Sequence, residues 1–216
     1  MSNQEKQIIE RTVIYVKQEL AGAESGHDWW HIYRVWKLAE RIAKEEKADV
    51  FVVILGALLH DIADAKFLDG DETIGPRIAE KFLHSQNLPE EIIGKILNII
   101  RFVSFKNSDE TPADNSLELQ IIQDADRLDA LGAIGIARAF SYGGFKMREM
   151  YNPGIPPNLK MSKAEYKKSE STTINHFYEK LLLLKEMMHT RTGKQLAEER
   201  HQFMEAFLEE FYAEWG

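Results

Sequence analysis

Residues 50–61, VFVVILGALLHD, are a run of ten apolar or glycine residues followed directly by His60 and Asp61. The run is far shorter than the roughly 18 residues that indicate a membrane span. Its length and its alanines favour a helix over a strand. A helix that is apolar on nearly every side is usually buried, so we expect residues 49–62 to form the central helix of the fold.

The spacing of apolar residues on either side of this segment predicts an all-α fold, a single globular helical domain over residues 1–216. The core motifs fall in residues 25–130, and a Gly- and Pro-rich loop at about 142–166 precedes two closing helices. A bend is expected near Gly132 or Gly135. The predicted helices cover residues 4–20, 29–46, 49–62, 72–86, 90–103, 117–142, 170–190 and 193–214.

The composition excludes several classes of protein. The formal net charge of the 216 residues is −8 and no basic stripe is present, so a nucleic acid polymer is not an expected partner. Because the chain has no cysteine, disulfides and thiolate ligands are ruled out. The N-terminal residues lack the apolar core and cleavage site of a secretory signal. We therefore expect a cytoplasmic protein that does not bind membranes.

The pair His60–Asp61 needs a compensating charge if it is buried. An anion near the carboxyl end of a helix opposes the helix dipole, and burial disfavours any unpaired charge. A divalent metal held by both side chains would offset these two unfavourable effects. The alternative is a helix end that emerges into water, with both side chains solvated.

Other residues of the metal-ligand type occur in helical segments. The stretch GHDWWHIYRV places His31 ahead of the buried helix, and QDADRLDALGA places Asp124, Asp126 and Asp129 in an otherwise apolar segment. His31, the His–Asp pair and one of these three acids could form a mixed imidazole and carboxylate site. Such ligands suit Mn, Fe, Zn or Ni, and without thiolates the site is not a structural zinc cluster. The alternatives are a histidine in the core and acids that face water.

The order of four motifs resembles the HD-domain superfamily of metal-dependent phosphohydrolases. The motifs are SGHDWWHIYRVW, ALLHDIADAKF, QDADRLDALGAIGIARAF and YGGFKM. Together they look like the YpgQ-like group of nucleotide pyrophosphohydrolases, over nearly the whole chain. The first histidine of the family precedes an aliphatic residue by four positions, which fits His31 and Val35. The resemblance implies one divalent ion, Mn(II) or alternatively Fe, Ni, Zn or Mg, held by His31, His60, Asp61 and Asp126.

The resemblance implies a role for Asp64, and other residues are candidates because they lie near the expected ligands or in site-facing loops. Asp64 matches an acidic position of HD-domain alarmone hydrolases and is expected to orient or deprotonate the attacking water. Lys66 is expected to serve catalysis by holding a phosphate, and His27, Arg127 and Lys146 are further candidates for substrate binding. The alternatives are a solvated acid, a surface lysine, a helix cap at His27 and an ion pair between Arg127 and a neighbouring acid.

The expected activity is hydrolysis of a (deoxy)nucleoside triphosphate to monophosphate and pyrophosphate, with a small anionic nucleotide as the substrate. A nucleotide monophosphatase or a small cyclic-nucleotide phosphodiesterase would use nearly the same metal centre. Two non-enzymatic functions are also open: a non-catalytic metal-binding sensor module and a helical adaptor without metal. A homodimer is an open alternative to a monomer. Trp29, Trp30 and Tyr33 are expected in the core rather than stacked on a base.

Overall fold

The computed structural model describes residues 1–22, 28–62, 74–103, 115–161 and 171–216. Within these ranges the chain is helical and contains no strand, which confirms the all-α prediction. No helix among them is both long and apolar enough to span a membrane. The helices are α1 (Asn3–Glu19), α2 (Trp29–Glu46), α3 (Val50–Leu59), α4 (Ile74–Ser85), α5 (Glu90–Phe102), α6 (Leu117–Asp129), α7 (Gly132–Phe145), α8 (Thr173–Glu179) and α9 (Arg191–Trp215), with a 3₁₀ helix at Leu181–Met187.

The chain divides into two compact units, Met1–Asp126 and Arg127–Gly216. In the first unit α3 packs against α1, α2 and α5, and all of its residues except Val50 are buried. Helix α3 is thus the central helix that its continuous apolar run predicts. The expectation of a single domain stays a prediction.

Helix α3 begins at an aspartate cap. The Asp49 carboxylate accepts hydrogen bonds from the backbone N–H groups of Phe51 and Val52, at 3.0 and 3.2 Å. The Asp49 N–H in turn donates to Glu118 Oε1 in α6, at 3.0 Å. Since the first N–H groups of a helix have no partner within it, this cap satisfies them and ties the start of α3 to α6.

Helices α3, α5 and α6 meet closely at Gly56. A Cβ atom at this position would lie 2.6 Å from Cδ1 of Ile122 in α6 and 3.2 Å from two side-chain carbons of Ile99 in α5. Real Cβ atoms do not approach other carbons so closely, so a larger residue here would require the Ile122 side chain to shift. A side chain of α6 therefore lies directly against α3, and these two helices lead to the acid and one histidine of the site described below.

The second unit is built around its last helix. Helix α9 packs against α7 and the 3₁₀ helix, and α8 packs against the same two elements. Phe177 of α8 is fully buried, and its ring lies 6.1 Å from that of Phe140 and 5.8 Å from that of Phe207. Aromatic contacts between α7, α8 and α9 therefore form the core of this unit.

Two predicted helices are interrupted in the structure. The predicted helix 117–142 is two helices, because Leu131 is extended (φ −114°, ψ 160°) and Gly132 has a φ of +70°. The expected bend is thus a complete break, and α7 then continues past the predicted start of the loop. The predicted helix 170–190 is also divided, because Lys180 (φ −146°, ψ −56°) ends α8 before the 3₁₀ helix.

Candidate metal centre

His31 lies in the first turn of α2. The Asp28 side chain caps this helix by accepting the backbone N–H of His31 through Oδ1, at 3.0 Å. The His31 side chain is 2% exposed, and its Nε2 lies 3.4 Å from Oδ1 of Asp126. The cap therefore places a buried imidazole at the start of α2 with its Nε2 directed at the carboxylate of α6.

His60 directly follows α3 and is buried. Its Nδ1 lies 2.8 Å from the backbone carbonyl of Ala57. A carbonyl only accepts hydrogen bonds, so Nδ1 carries a proton and donates, and in the neutral imidazole Nε2 is the nitrogen with the lone pair. Nε2 lies 3.9 Å from Oδ1 of Asp126. A histidine that binds a metal is commonly oriented by such a bond from its other ring nitrogen.

The donor atoms of His31, His60 and Asp126 all lie within 4.8 Å of one another; we call these residues the three-donor group. The separations of 3.4 and 3.9 Å exceed the 2.7–3.2 Å usual for an N–H···O bond. Both are shorter than twice the roughly 2.0–2.2 Å bond from a divalent ion to nitrogen or oxygen. One ion can therefore contact Asp126 and either histidine together, and the donor set suits Mn, Fe, Ni or Zn.

The helix α6 contributes one acid to this group. Asp126 has a side chain that is 33% exposed, whereas Asp124 is fully buried and Asp129 is 3% exposed. The alternative in which Asp124 and Asp129 face water is therefore wrong. Asp129 instead accepts a hydrogen bond from Arg138, Nη1 to Oδ2, at 2.5 Å.

The fourth predicted ligand and three of the predicted substrate or catalytic residues are not placed in the group. Asp61 is half-buried beside His60, and among the described residues the convergent donors come from the three-donor group alone. The role of Asp61 as a ligand stays a prediction. His27, Asp64 and Lys66 lie outside the described residues.

The two other predicted substrate contacts, Arg127 and Lys146, belong to the second unit. Nη1 of Arg127 donates to the backbone carbonyl of Met187 at 2.8 Å. Nζ of Lys146 lies 5.1 Å from the ring centroid of Phe145 and 5.7 Å from that of Tyr142. These contacts show what each cation touches within its own unit, and contact with a substrate stays a prediction for both.

Comparison with known proteins identifies the family. A family model of the HD domain matches residues 29–131, a range that contains the whole three-donor group. The Bacillus subtilis (strain 168) protein YpgQ is 39% identical over 197 residues, which are 90% of this chain and 87% of YpgQ. The chain belongs to the HD-domain family.

Solved structures of HD-domain proteins extend the match to both units. An HD-superfamily hydrolase from Bacillus thuringiensis is 43% identical, with 98% of each chain covered and a TM-score of 0.79. Bacillus subtilis YpgQ in complex with ADP is 34% identical, with 98% of this chain and 96% of that one covered and a TM-score of 0.78. The protein is accordingly an HD-superfamily hydrolase, an enzyme of the metal-dependent phosphohydrolase class.

Sequence reasoning missed the groups that contact His60 and the end of α6. The carbonyl of Ala57, which orients His60, has no side-chain signal beyond its position three residues earlier in the same helix. Arg138 and Arg200, which donate to the end of α6, were also missed. The signal for them was an acid at a helix end, where a cation is expected nearby.

Proposed function

We propose that the protein hydrolyses (deoxy)nucleoside triphosphates to nucleoside monophosphate and pyrophosphate, with Mn(II) held by His31, His60, Asp61 and Asp126. The observation that carries the proposal is the convergence of two histidine Nε2 atoms on one carboxylate oxygen. The complex of YpgQ with ADP supports a nucleotide as the ligand of this HD-domain chain. The pyrophosphohydrolase activity itself rests on the resemblance of the motifs to the YpgQ-like group.

The roles of the residues follow from what a bound ion supplies. A divalent ion lowers the pKa of a water molecule and offsets negative charge that develops on phosphorus. Nδ1 of His60 donates its hydrogen to the Ala57 carbonyl, so Nε2 is the ring nitrogen that would bind the ion. Asp64 is proposed to orient the attacking water and to accept its proton.

The phosphates of a triphosphate require cations from the chain itself. Lys66 is the first candidate, because it follows Asp64 by two residues and an ammonium group binds phosphate as a point charge. Arg127, Lys146 and His27 are proposed as further contacts. Because Nη1 of Arg127 already donates to a backbone carbonyl, this arginine would reach a phosphate through a different N–H group.

The products of the reaction test the proposal directly. The protein is incubated with Mn²⁺ and a deoxynucleoside triphosphate in water enriched in ¹⁸O, and the products are resolved by anion exchange and ³¹P NMR. We expect monophosphate and pyrophosphate in equal amounts, with ¹⁸O in the monophosphate if water attacks the α-phosphorus. The matched pair of variants is His60→Ala, which removes a donor, and His84→Ala, which removes an exposed surface histidine.

Other outcomes would favour the alternative activities. Diphosphate with orthophosphate, or turnover of monophosphates only, would replace the proposal with a phosphatase. Hydrolysis of a small cyclic nucleotide would indicate a phosphodiesterase, and metal binding without turnover of any nucleotide would indicate a sensor module. The homodimer and the cytoplasmic location expected from the sequence also stay predictions.

A further inference from the structure

The carboxyl end of α6 is held by an ion pair within the second unit. Nη1 of Arg138, in α7, donates to Oδ2 of Asp129 at 2.5 Å and to the Asp129 backbone carbonyl at 3.2 Å. The Asp129 side chain is 4% exposed and that of Arg138 is 29% exposed. Because the carboxylate of the pair is shielded from water, solvent weakens this charged hydrogen bond less than it weakens a fully exposed ion pair.

Two more arginines donate near the same helix end. Nη1 of Arg200, in α9, donates to the Leu128 carbonyl, and Nη1 of Arg127 donates to the Met187 carbonyl at 2.8 Å. A Cβ atom on Gly132 would lie 3.1 Å from Cγ of Arg200, so the glycine after the helix leaves room for the arginine stem. Each of the last three residues of α6 thus takes part in a hydrogen bond made by an arginine side chain: Arg127 donates its own, and Leu128 and Asp129 accept from Arg200 and Arg138.

These contacts compensate for an unfavourable helix end. The last carbonyls of a helix have no partner in the helix, and a carboxylate there opposes the helix dipole. The arginines supply donors to two of those carbonyls and a positive charge to Asp129. The chain then turns within two residues into α7, so the end of α6 is fixed without a long loop.

Asp126 lies one turn before this end. Its side chain is 33% exposed, so packing around it constrains it only in part. A metal ligand must be held within about 0.5 Å of its working position. We propose that Arg138 is a positioning residue, which through Asp129 holds the last turn of α6 so that Asp126 Oδ1 faces the Nε2 atoms of His31 and His60. The inference rests on the proposed assignment of the metal ligands.

The test compares metal binding by three variants of one residue type. Arg138→Gln removes the charge, Arg138→Lys keeps it, and Arg41→Gln makes the same change at an exposed position of α2. The Mn²⁺ dissociation constant is measured by EPR of the free ion, and Co²⁺ absorption bands report the ligand geometry. We expect Arg138→Gln to weaken Mn²⁺ binding by about 10- to 100-fold and to shift the Co²⁺ bands, Arg138→Lys to recover part of the affinity, and Arg41→Gln to match the wild type.

The controls separate this inference from the ligand assignment. Wild-type affinity and unchanged Co²⁺ bands in folded Arg138→Gln, with strong loss of binding in His60→Ala, would overturn the positioning role alone. Equal binding by the wild type and His60→Ala would overturn both. Circular dichroism and urea unfolding of the metal-free proteins show whether each variant folds. If Arg138→Gln does not fold, Asp129→Asn is measured in the same way, and wild-type binding by that variant would also overturn the inference.

Discussion

Replacing His60 with alanine should remove most of the thermal stabilisation that Mn²⁺ gives to the protein. A ligand that binds only the folded state at 100 times its dissociation constant stabilises that state by about 2.7 kcal/mol. For a chain of 150–250 residues, each kcal/mol raises Tm by about 2–4 °C. The expected rise for the wild type is therefore about 5–11 °C, from the two constants together.

The structure gives the expected result for the variant. His60 supplies one donor of the three-donor group, and its loss should weaken binding at least as much as the roughly 100-fold upper effect of an outer-shell change. At the same Mn²⁺ concentration the stabilisation then falls to about 0.4 kcal/mol or less. That corresponds to a rise in Tm of about 1–2 °C.

The assay is differential scanning calorimetry of each protein with chelator and with Mn²⁺. The quantity compared is the rise in Tm within one variant, so any loss of stability from removing the bond between His60 and the Ala57 carbonyl cancels. His84→Ala is the matched control, because His84 is exposed and pairs with the exposed Glu90. A full rise in His60→Ala, or its loss in His84→Ala, would refute the assignment of His60 as a ligand.

Three further predictions concern catalysis, packing and pH. Asp64→Asn should keep Mn²⁺ binding but lose about 10²- to 10⁴-fold in turnover; normal turnover would remove Asp64 from the mechanism. Gly56→Ala should lower the free energy of unfolding in urea by about 1–3 kcal/mol, because the buried Ile122 side chain must shift to admit its Cβ. Gly144→Ala should not, because outside its own helix backbone its Cβ would meet no described atom within 4 Å. Burial, with a smaller effect of nearby cations, lowers the pKa of His176 to about 3, so folded His176 is neutral and only the unfolded chain takes up its proton below about pH 6.5. Stability should therefore fall by about 2 kcal/mol between pH 7 and pH 5 from this residue, a loss that His176→Gln should lack in urea titrations at the two pH values.

The central helix could be predicted because a continuous apolar run indicates burial on every side. The faces of α2 were harder to predict, and the expectation that Trp30 and Tyr33 lie in the core is wrong, since they are 61% and 38% exposed. The buried face follows the four-residue spacing from His31 to Val35. Trp30 is off that spacing, and its ring meets the ring of Tyr33 edge to face at the surface, with ring centroids 6.0 Å apart.

The ligand acid could not be selected by chemistry alone. Three aspartates lie in one six-residue stretch of α6, and they differ only in the direction in which each side chain points. Fully buried Asp124 and arginine-paired Asp129 are engaged elsewhere in the fold, which leaves Asp126 facing the histidines. The motif resemblance selected Asp126 in advance because a family pattern carries this directional information, whereas composition and spacing do not.

The position of the donors on their helices explains why a buried apolar segment ends in a histidine beside a site for a cation. His60 caps the carboxyl end of α3, and Asp126 lies in the last turn of α6. The carboxyl end of a helix carries a partial negative charge, so both helix ends stabilise a cation and disfavour an uncompensated carboxylate. The apolar run brings α3 into the core, and a side chain of α6 lies against it at Gly56. The two helix ends thus place their donors together, where a divalent ion would offset the negative charge of each.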